Sequence, residues 1–303
     1  MNMLSQKDKR LIKAGIRIAD SNIYEEDKIW ARYSRDKVDI GEELAKVIRT
    51  LSKALPLGAP LRAFSIGSSA EPQFRLLENV FRSGLYLLDI DKHALDIVSE
   101  RIRRQCTDHV SGIRGDYTCT FIEAGRTRRF LREKLHGRKA NLITLHHSLY
   151  YCQRQMWPAI FRNLYRHILG STAAIHAVLM ASRSDSKQTT TWLYNHFAGK
   201  FFGCRNDQDL IQFSRQLKED ALFRRPQILT RTHRVKFFVD DFTKFMAVVW
   251  MILLYPGVHR YSAEQKEEIT GYVYRNFWLK KRSLLQMQDH LVIYRGIGFK
   301  GLI

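Results

Sequence analysis

From residue 61 onward the chain alternates between two hydrophobic rhythms. "LRAFSI", "GLYLLDID", "NLITLHH" and "TAAIHAVLMA" are short, nearly unbroken apolar runs. Between them, apolar residues recur at helical spacing: Phe74, Leu77 and Phe81 in "PQFRLLENVFR", and Leu95, Val98 and Ile102 in "KHALDIVSERIRRQC". "RTRRFLREKLH" and "MWPAIFRNLYRHIL" read as two further helices. "YTCTFIEA", rich in aromatic and β-branched residues, reads as a third strand. Unbroken apolar strands alternating with helices are buried on both faces, so the pattern predicts an α/β domain with a mostly parallel sheet. Upstream, residues 1–56 read as helical, with Val38, Ile40, Leu44, Val47, Ile48 and Leu51 close to a helical period, closed by "LPLGAP". Residues 182–225 lose the strand pattern, "PQILTRTHRVKFFV" regains it, 240–285 are helical and aromatic-rich, and "DHLVIYRG" reads as a last strand. The predicted organisation is a helical segment, 1–56, then one α/β domain, 57–303, with 182–225 and 240–285 as insertions over a substrate site.

Composition narrows the class. With 45% hydrophobic residues, 17 Phe and 13 Tyr in 303 residues, the chain can bury a sizeable core and is not of disordered type. Its four cysteines form no CxxC pair and no Cys/His metal spacing, so no metal site is expected and the thiols read as free and buried. The longest apolar run, "FMAVVWMILLYP" from Phe245 to Pro256, is far short of the roughly 20 residues of a membrane span and reads as a buried helix. The N-terminal stretch is charged from Lys7 and has no apolar signal core, and a cytoplasmic location is expected. The formal charge is +20, with the largest excess, about +9, in residues 141–239. Such a surface attracts RNA or another polyanion, although no RGG tract, zinc knuckle or RNP-like motif is present. Nothing in the pattern speaks to oligomeric state.

In a parallel sheet, ligands bind outside the carboxyl ends of the strands. The first strand ends in "SIGSSAEP". Gly67 permits a tight turn and close backbone approach, Ser68 with Glu71 fits a capping box, and Pro72 fits a first helical turn. The second ends in "LLDIDKHAL", with Asp89 22 positions after Gly67, a spacing that suits a carboxylate accepting hydrogen bonds from ribose hydroxyls. Asp91 reads as the N-cap of the next helix. Gly67 with Asp89 in consecutive units points to an adenosine-bearing cofactor. A dinucleotide site would keep glycine where Ser69 stands, and GxxxxGK[ST] is absent.

These stretches, with "CTFIEAG" and "ANLITLHHSLYY", resemble the class I S-adenosylmethionine-dependent methyltransferases over roughly residues 61–181. The resemblance implies a Rossmann-like, mostly parallel seven-stranded sheet and S-adenosyl-L-methionine as cofactor. It implies that Gly67, Ser68 and Ser69 line the methionine part, that Asp89 holds the ribose with Ile90 beside it, and that Ala124 and Gly125, in the turn after strand three, lie by the adenine. His146, His147 and Tyr150 would face the reaction centre, and Tyr33 of "WARYS" would cover the methyl group. The chain departs from the family's pattern in Ser65, Ser69 and Glu71, and in the acid after strand three, missing unless Glu123 serves. A weaker likeness, in "SIG", "SLYY" and the long aromatic C-terminal section, is to histamine N-methyltransferase and its relatives.

Methyl transfer needs alignment and a dry site, and a base when the nucleophile is protonated. Histidine suits that role near neutral pH, which singles out His146 and His147 in "HHSLYY". Trp192, Tyr194, Phe197, Phe201 and Phe202 form either an aromatic substrate wall or a hydrophobic subcore, and Trp30 and Tyr33 share one helix face. The reading favoured is a methyltransferase acting on a small-molecule N or O nucleophile. The alternatives are an RNA methyltransferase, for which neither the "[DNS]PP[YFW]" nor a Pro-Cys motif is present, and a non-catalytic protein using this fold for binding.

Overall fold

The interior apolar runs form strands where they are expected. The computed structural model describes residues 5–20, 23–67, 74–253 and 261–298. The helices α1 (Gln6–Arg17), α2 (Ile23–Tyr33) and α3 (Asp36–Ala54) precede β1 (Ala63–Ile66). Then come α4 (Phe74–Val80), β2 (Leu85–Asp89), α5 (Lys92–Gln105), β3 (Val110–Arg114), α6 (Tyr117–Phe121), α7 (Ala124–Lys134) and β4 (Ala140–His146). After α8 (Trp157–Asn163), a π-helical turn (Leu164–Ile168) leads into β5 (Leu169–Met180). The rest of the chain holds α9 (Thr190–Phe202), α10 (Leu210–Glu219), β6 (Gln227–Phe237), α11 (Phe242–Leu253), α12 (Ala263–Val273) and β7 (Leu284–Arg295). One seven-stranded sheet results, in the order β3-β2-β1-β4-β5-β7-β6. The pairs β1–β2, β1–β4, β2–β3 and β4–β5 are parallel. Arg295, at the end of β7, donates to the carbonyl of Leu169 at the start of β5 (3.2 Å), so β7 runs against β5.

The third strand is not where the residue types place it. Residues 117–121 are helical, and the strand is the preceding "VSGIR". Two physical reasons account for this. β3 is an edge strand in which only Val110 and Ile113 are buried, so it lacks the unbroken apolar signature of its neighbours. "YTCTF" carries its apolar weight at Tyr117 and Phe121, four apart on one helical face, and Asp116 caps it by accepting the Thr118 N–H at 2.8 Å.

The chain divides into two compact units. The first comprises Ile40–Leu179, Asp209–Thr232 and Asp289–Ile303. On one side of its sheet, Leu44, Val47 and Leu51 of α3 pack with Phe74, Leu77, Phe81 and Leu142. Phe64 of β1 meets Phe121 and Phe130, at ring separations of 5.2–5.8 Å within the trio. Each such side chain contributes about 1.5–3 kcal/mol on burial. This trio clamps α6 and α7 to the sheet and thereby places the turn after β3.

The second unit comprises Met1–Asp39, Met180–Gln208 and His233–Gln288. Its core is aromatic: Trp30, Phe197, Phe237, Phe245 and Trp250 are buried together. α11 is apolar on almost every face, and all but one of its residues from Phe245 to Leu253 are buried. Trp250 donates its indole N–H to the Gly15 carbonyl at 2.9 Å, and a Cβ at Gly15 would stand 2.9 Å from Phe242. Among the described residues no helix is long and apolar enough to cross a membrane. The cysteines are free, but only Cys152 is buried; Cys106, Cys119 and Cys204 are exposed, against expectation.

Candidate active site

Adjacent parallel strands bring four turns to one edge of the sheet. Gly67 donates its N–H to the Leu88 carbonyl (2.8 Å), Gly115 to Asp89 (2.9 Å), and His147 to Val178 (2.9 Å). Gly67 adopts φ +67°, and a Cβ there would lie 2.6 Å from the Ser148 Cβ. No side chain fits, so the turn after β1 sits directly against the turn after β4. Ser148 is 1% exposed, and its Oγ has no hydrogen-bond partner among the described residues. A buried hydroxyl left this way costs free energy unless a ligand or water satisfies it. Tyr117 donates its hydroxyl to the Ser148 carbonyl (2.9 Å), and burial pushes the Tyr117 pKa far up, keeping it a donor. Burial also raises the Cys152 thiol to about 11, which removes it as a nucleophile near neutrality.

Two carboxylates follow the adjacent strands β2 and β3, Asp89 ending β2 and Asp116 lying two residues past β3. Asp89 Oδ1 accepts the Asp91 N–H at 3.0 Å, while its Oδ2 makes no hydrogen bond or ion pair among the described residues. Asp91 caps α5, accepting the His93 N–H at 2.8 Å, as its position predicts. Ile90 is 67% exposed, an apolar side chain held open beside Asp89. Asp116 Oδ1 takes the Thr118 N–H (2.8 Å) and hydroxyl (2.7 Å), its Oδ2 takes the Cys119 thiol at 3.4 Å, and the Cys119 N–H also acts on the carboxyl. Burial works to raise the Asp116 pKa, but the Thr118 and Cys119 bonds outweigh it and hold the carboxyl below its ordinary value.

The end of β4 is built from histidine. His146 is buried, its Nε2 3.1 Å from Nδ1 of His176 on β5. His176 Nε2 in turn lies 3.1 Å from Nδ1 of His290 on β7. In each pair one nitrogen carries the proton, so the tautomers of the three rings are linked. Among the described residues no group of three or more His, Cys, Asp or Glu is set to hold a metal ion. His147, the next residue, adopts φ +52°, a left-handed conformation uncommon outside glycine. That turn reverses the backbone so that Ser148 meets Gly67. The His147 ring is half-buried and stacks on Tyr150, with centroids 5.8 Å apart and planes 14° from parallel.

No protein family and no curated protein matches the chain by sequence. Solved structures do match by shape. The YcgJ protein of Bacillus subtilis superposes with a TM-score of 0.51 at 11% identity, covering 82% of this chain and 99% of its own. A candidate sarcosine dimethylglycine methyltransferase from Galdieria sulphuraria superposes with a TM-score of 0.50 at 11% identity, covering 85% and 86%. The chain has the class I methyltransferase fold.

Within this methyltransferase fold the residues singled out by sequence fall into four groups. Gly67, Asp89, Ile90, His146, His147 and Tyr150 all lie at or just beyond the carboxyl ends of β1, β2 and β4. Ser68 and Ser69, with Glu71 and Pro72, lie outside the described residues. Ala124 and Gly125 are displaced from their expected place: they open α7, one helix beyond the turn after β3. Glu123 pairs with Arg126 (3.0 Å) and is exposed. The acid after strand three is therefore Asp116, in "RGDY", which sequence reading passed over together with Ser148. In the second unit, Trp30 is core, 5.5 Å from the Phe237 ring, and Tyr33 packs partly buried against that core. Phe197 and Tyr194 are buried there too, while Trp192 stacks on His196 at 4.4 Å.

Proposed function

We propose that this protein is an S-adenosylmethionine-dependent methyltransferase acting on an N or O nucleophile of a small molecule. The observation that carries the reading is the Ser148 hydroxyl, without a partner among the described residues, seated against Gly67 of the adjacent strand and two strands from Asp89 Oδ2, at the carboxyl edge of a class I methyltransferase fold. The donor set fits the cofactor. Asp89 Oδ2 accepts from ribose hydroxyls, and Ile90 offers an apolar face to the purine. Asp116 Oδ2, whose side-chain partner is the Cys119 thiol at 3.4 Å, accepts from the adenine amino group in place of the role expected of Ala124 and Gly125. Gly67, Ser148 and the Ser68–Ser69 stretch take the methionine end. When bound, the cofactor supplies an electrophilic methyl group.

The chain's own residues then align the nucleophile and handle its proton. His147 accepts that proton, held by the stacked Tyr150 and by a backbone fixed in the left-handed region. His146 is a positioning residue, its ring oriented through His176 and His290. The test is transfer of labelled methyl from S-adenosylmethionine to a panel of small amines and phenols. Label in product supports the proposal. Tight cofactor binding with no transfer to any acceptor overturns it in favour of a non-catalytic binding protein.

A further inference from the structure

The opposite edge of the sheet carries a different chemistry. Lys139 immediately precedes β4, and Arg166 and His167 lie in the π-helical turn that precedes β5. β4 and β5 are parallel, with Ala140 paired to Leu169, so these residues gather at the amino ends of the strands. The length of β4 separates them from His146 by about 20 Å at 3.3 Å per residue. α7 packs on the same turn and adds Arg128 from its exposed face. Between residues 123 and 139 there are seven cationic side chains and two acidic ones.

The acids near this cluster are already engaged. Glu123 pairs with Arg126 (3.0 Å), Glu133 with Arg132 (3.8 Å), and Asp220 with Arg162 (2.8 Å). Asp220 also feels Arg166, though its hydrogen bonds are to Arg162 and the Leu222 N–H. Arg128, Arg129, Arg138, Lys139 and Arg166 are exposed and make no ion pair among the described residues. Burial first, then repulsion from Arg128, Lys139 and Arg166, holds His167 below its ordinary pKa, which shows that the three cations act on one place. Like charges are gathered here without internal compensation, at a cost in stability that an external anion offsets.

We propose that this edge is a docking surface for the phosphodiester backbone of a nucleic acid, separate from the methyl-transfer site. Guanidinium groups predominate, and their forked donors suit phosphate oxygens. No large exposed hydrophobic residue falls in 123–139 or 162–168. A membrane-surface segment needs such an apolar face, so the surface fits a polyphosphate chain rather than a lipid bilayer. The inference stands independently of the methyltransferase reading.

The test is fluorescence anisotropy with a labelled duplex of about 20 base pairs, titrated from about 50 to about 200 mM salt. Five free cations predict a slope of log K against log salt of roughly −4 to −5, hence a loss of 10²–10³-fold in affinity over that range. The triple variant Arg128→Gln, Lys139→Gln, Arg166→Gln shallows the slope by about 2.7. The control Lys280→Gln, Lys281→Gln, Arg282→Gln, at an exposed turn outside the cluster, leaves it within about one unit. A thermal melt of both triple variants confirms that each is folded. Absence of duplex binding overturns the proposal, as does a control variant that lowers the slope equally. Binding to phosphatidylserine vesicles but not to duplex assigns the surface to membranes and also overturns it. S-adenosylmethionine affinity is unchanged in the cluster variant, so the two proposals fail separately.

Discussion

The two oxygens of Asp116 have unequal duties. Oδ1 caps α6 through Thr118, while Oδ2 takes the Cys119 thiol at 3.4 Å. Asp116→Asn keeps the cap with its carbonyl and puts a donor where the adenine amino group needs an acceptor. Cofactor affinity is expected to fall about tenfold or more, the value of a charge-assisted hydrogen bond of roughly 1.5–3 kcal/mol, with little change in thermal stability; equal affinity in calorimetry removes Asp116 from the site. Gly125→Ala provides the contrast, because a Cβ there meets nothing within 4 Å. It leaves cofactor affinity unchanged, and a large loss would return the adenine to the start of α7. At His147, Asn retains tolerance of the left-handed backbone but cannot take a proton. His147→Asn should lower turnover by about 10²-fold or more at unchanged cofactor affinity, and full activity would exclude His147 as the base. The position of Asp89 and the cap made by Asp91 were legible in the sequence because both follow from the end of an interior strand. Ser148 was not, since its importance comes from packing against Gly67 of the adjacent strand's turn, 81 residues away in sequence, a contact no local pattern records.

At the scale of elements, interior strands announce themselves and edge strands do not. β1, β2, β4 and β5 are buried on both faces and read correctly from their apolar runs. β3 lies at the sheet edge with three exposed positions, so β-branched residues in a capped helix outweighed it, and Asp116 was lost with the boundary. The histidine chain was equally hidden: His176 and His290 sit inside apolar strands far apart in sequence, and only the order β4-β5-β7 brings them to His146. His176→Leu removes the central ring and strands a polar nitrogen on each neighbour. At about 1–3 kcal/mol for each buried group so deprived, denaturant unfolding should show a loss of roughly 2–6 kcal/mol. An unchanged midpoint would mean the chain contributes nothing to the sheet.

For the whole molecule, the +20 charge makes acid the destabilising direction. Asp8 is held below its ordinary pKa chiefly by Tyr274, and Asp220 by the Leu222 N–H and then Arg162. Asp116 and Asp241 are also held low, because hydrogen bonds from Thr118 and Thr243 outweigh the upward push of burial. A depressed carboxylate stabilises the fold above its unfolded pKa, and that contribution is lost as pH falls towards the folded value. Glu264 is held low by the Ser262 hydroxyl, and Asp289, raised by burial, acts in the opposite sense, one group against five among the described residues. The melting temperature should therefore fall steadily below about pH 4, and a flat profile to pH 3 would contradict these assignments. The central claim concerns the carboxyl edge of the sheet, and calorimetry of S-adenosylmethionine and S-adenosylhomocysteine on the wild type and Asp89→Ala tests it most directly. Micromolar binding that weakens more than about tenfold in the variant is the result predicted; no binding by the wild type, or equal binding by both proteins, would contradict it.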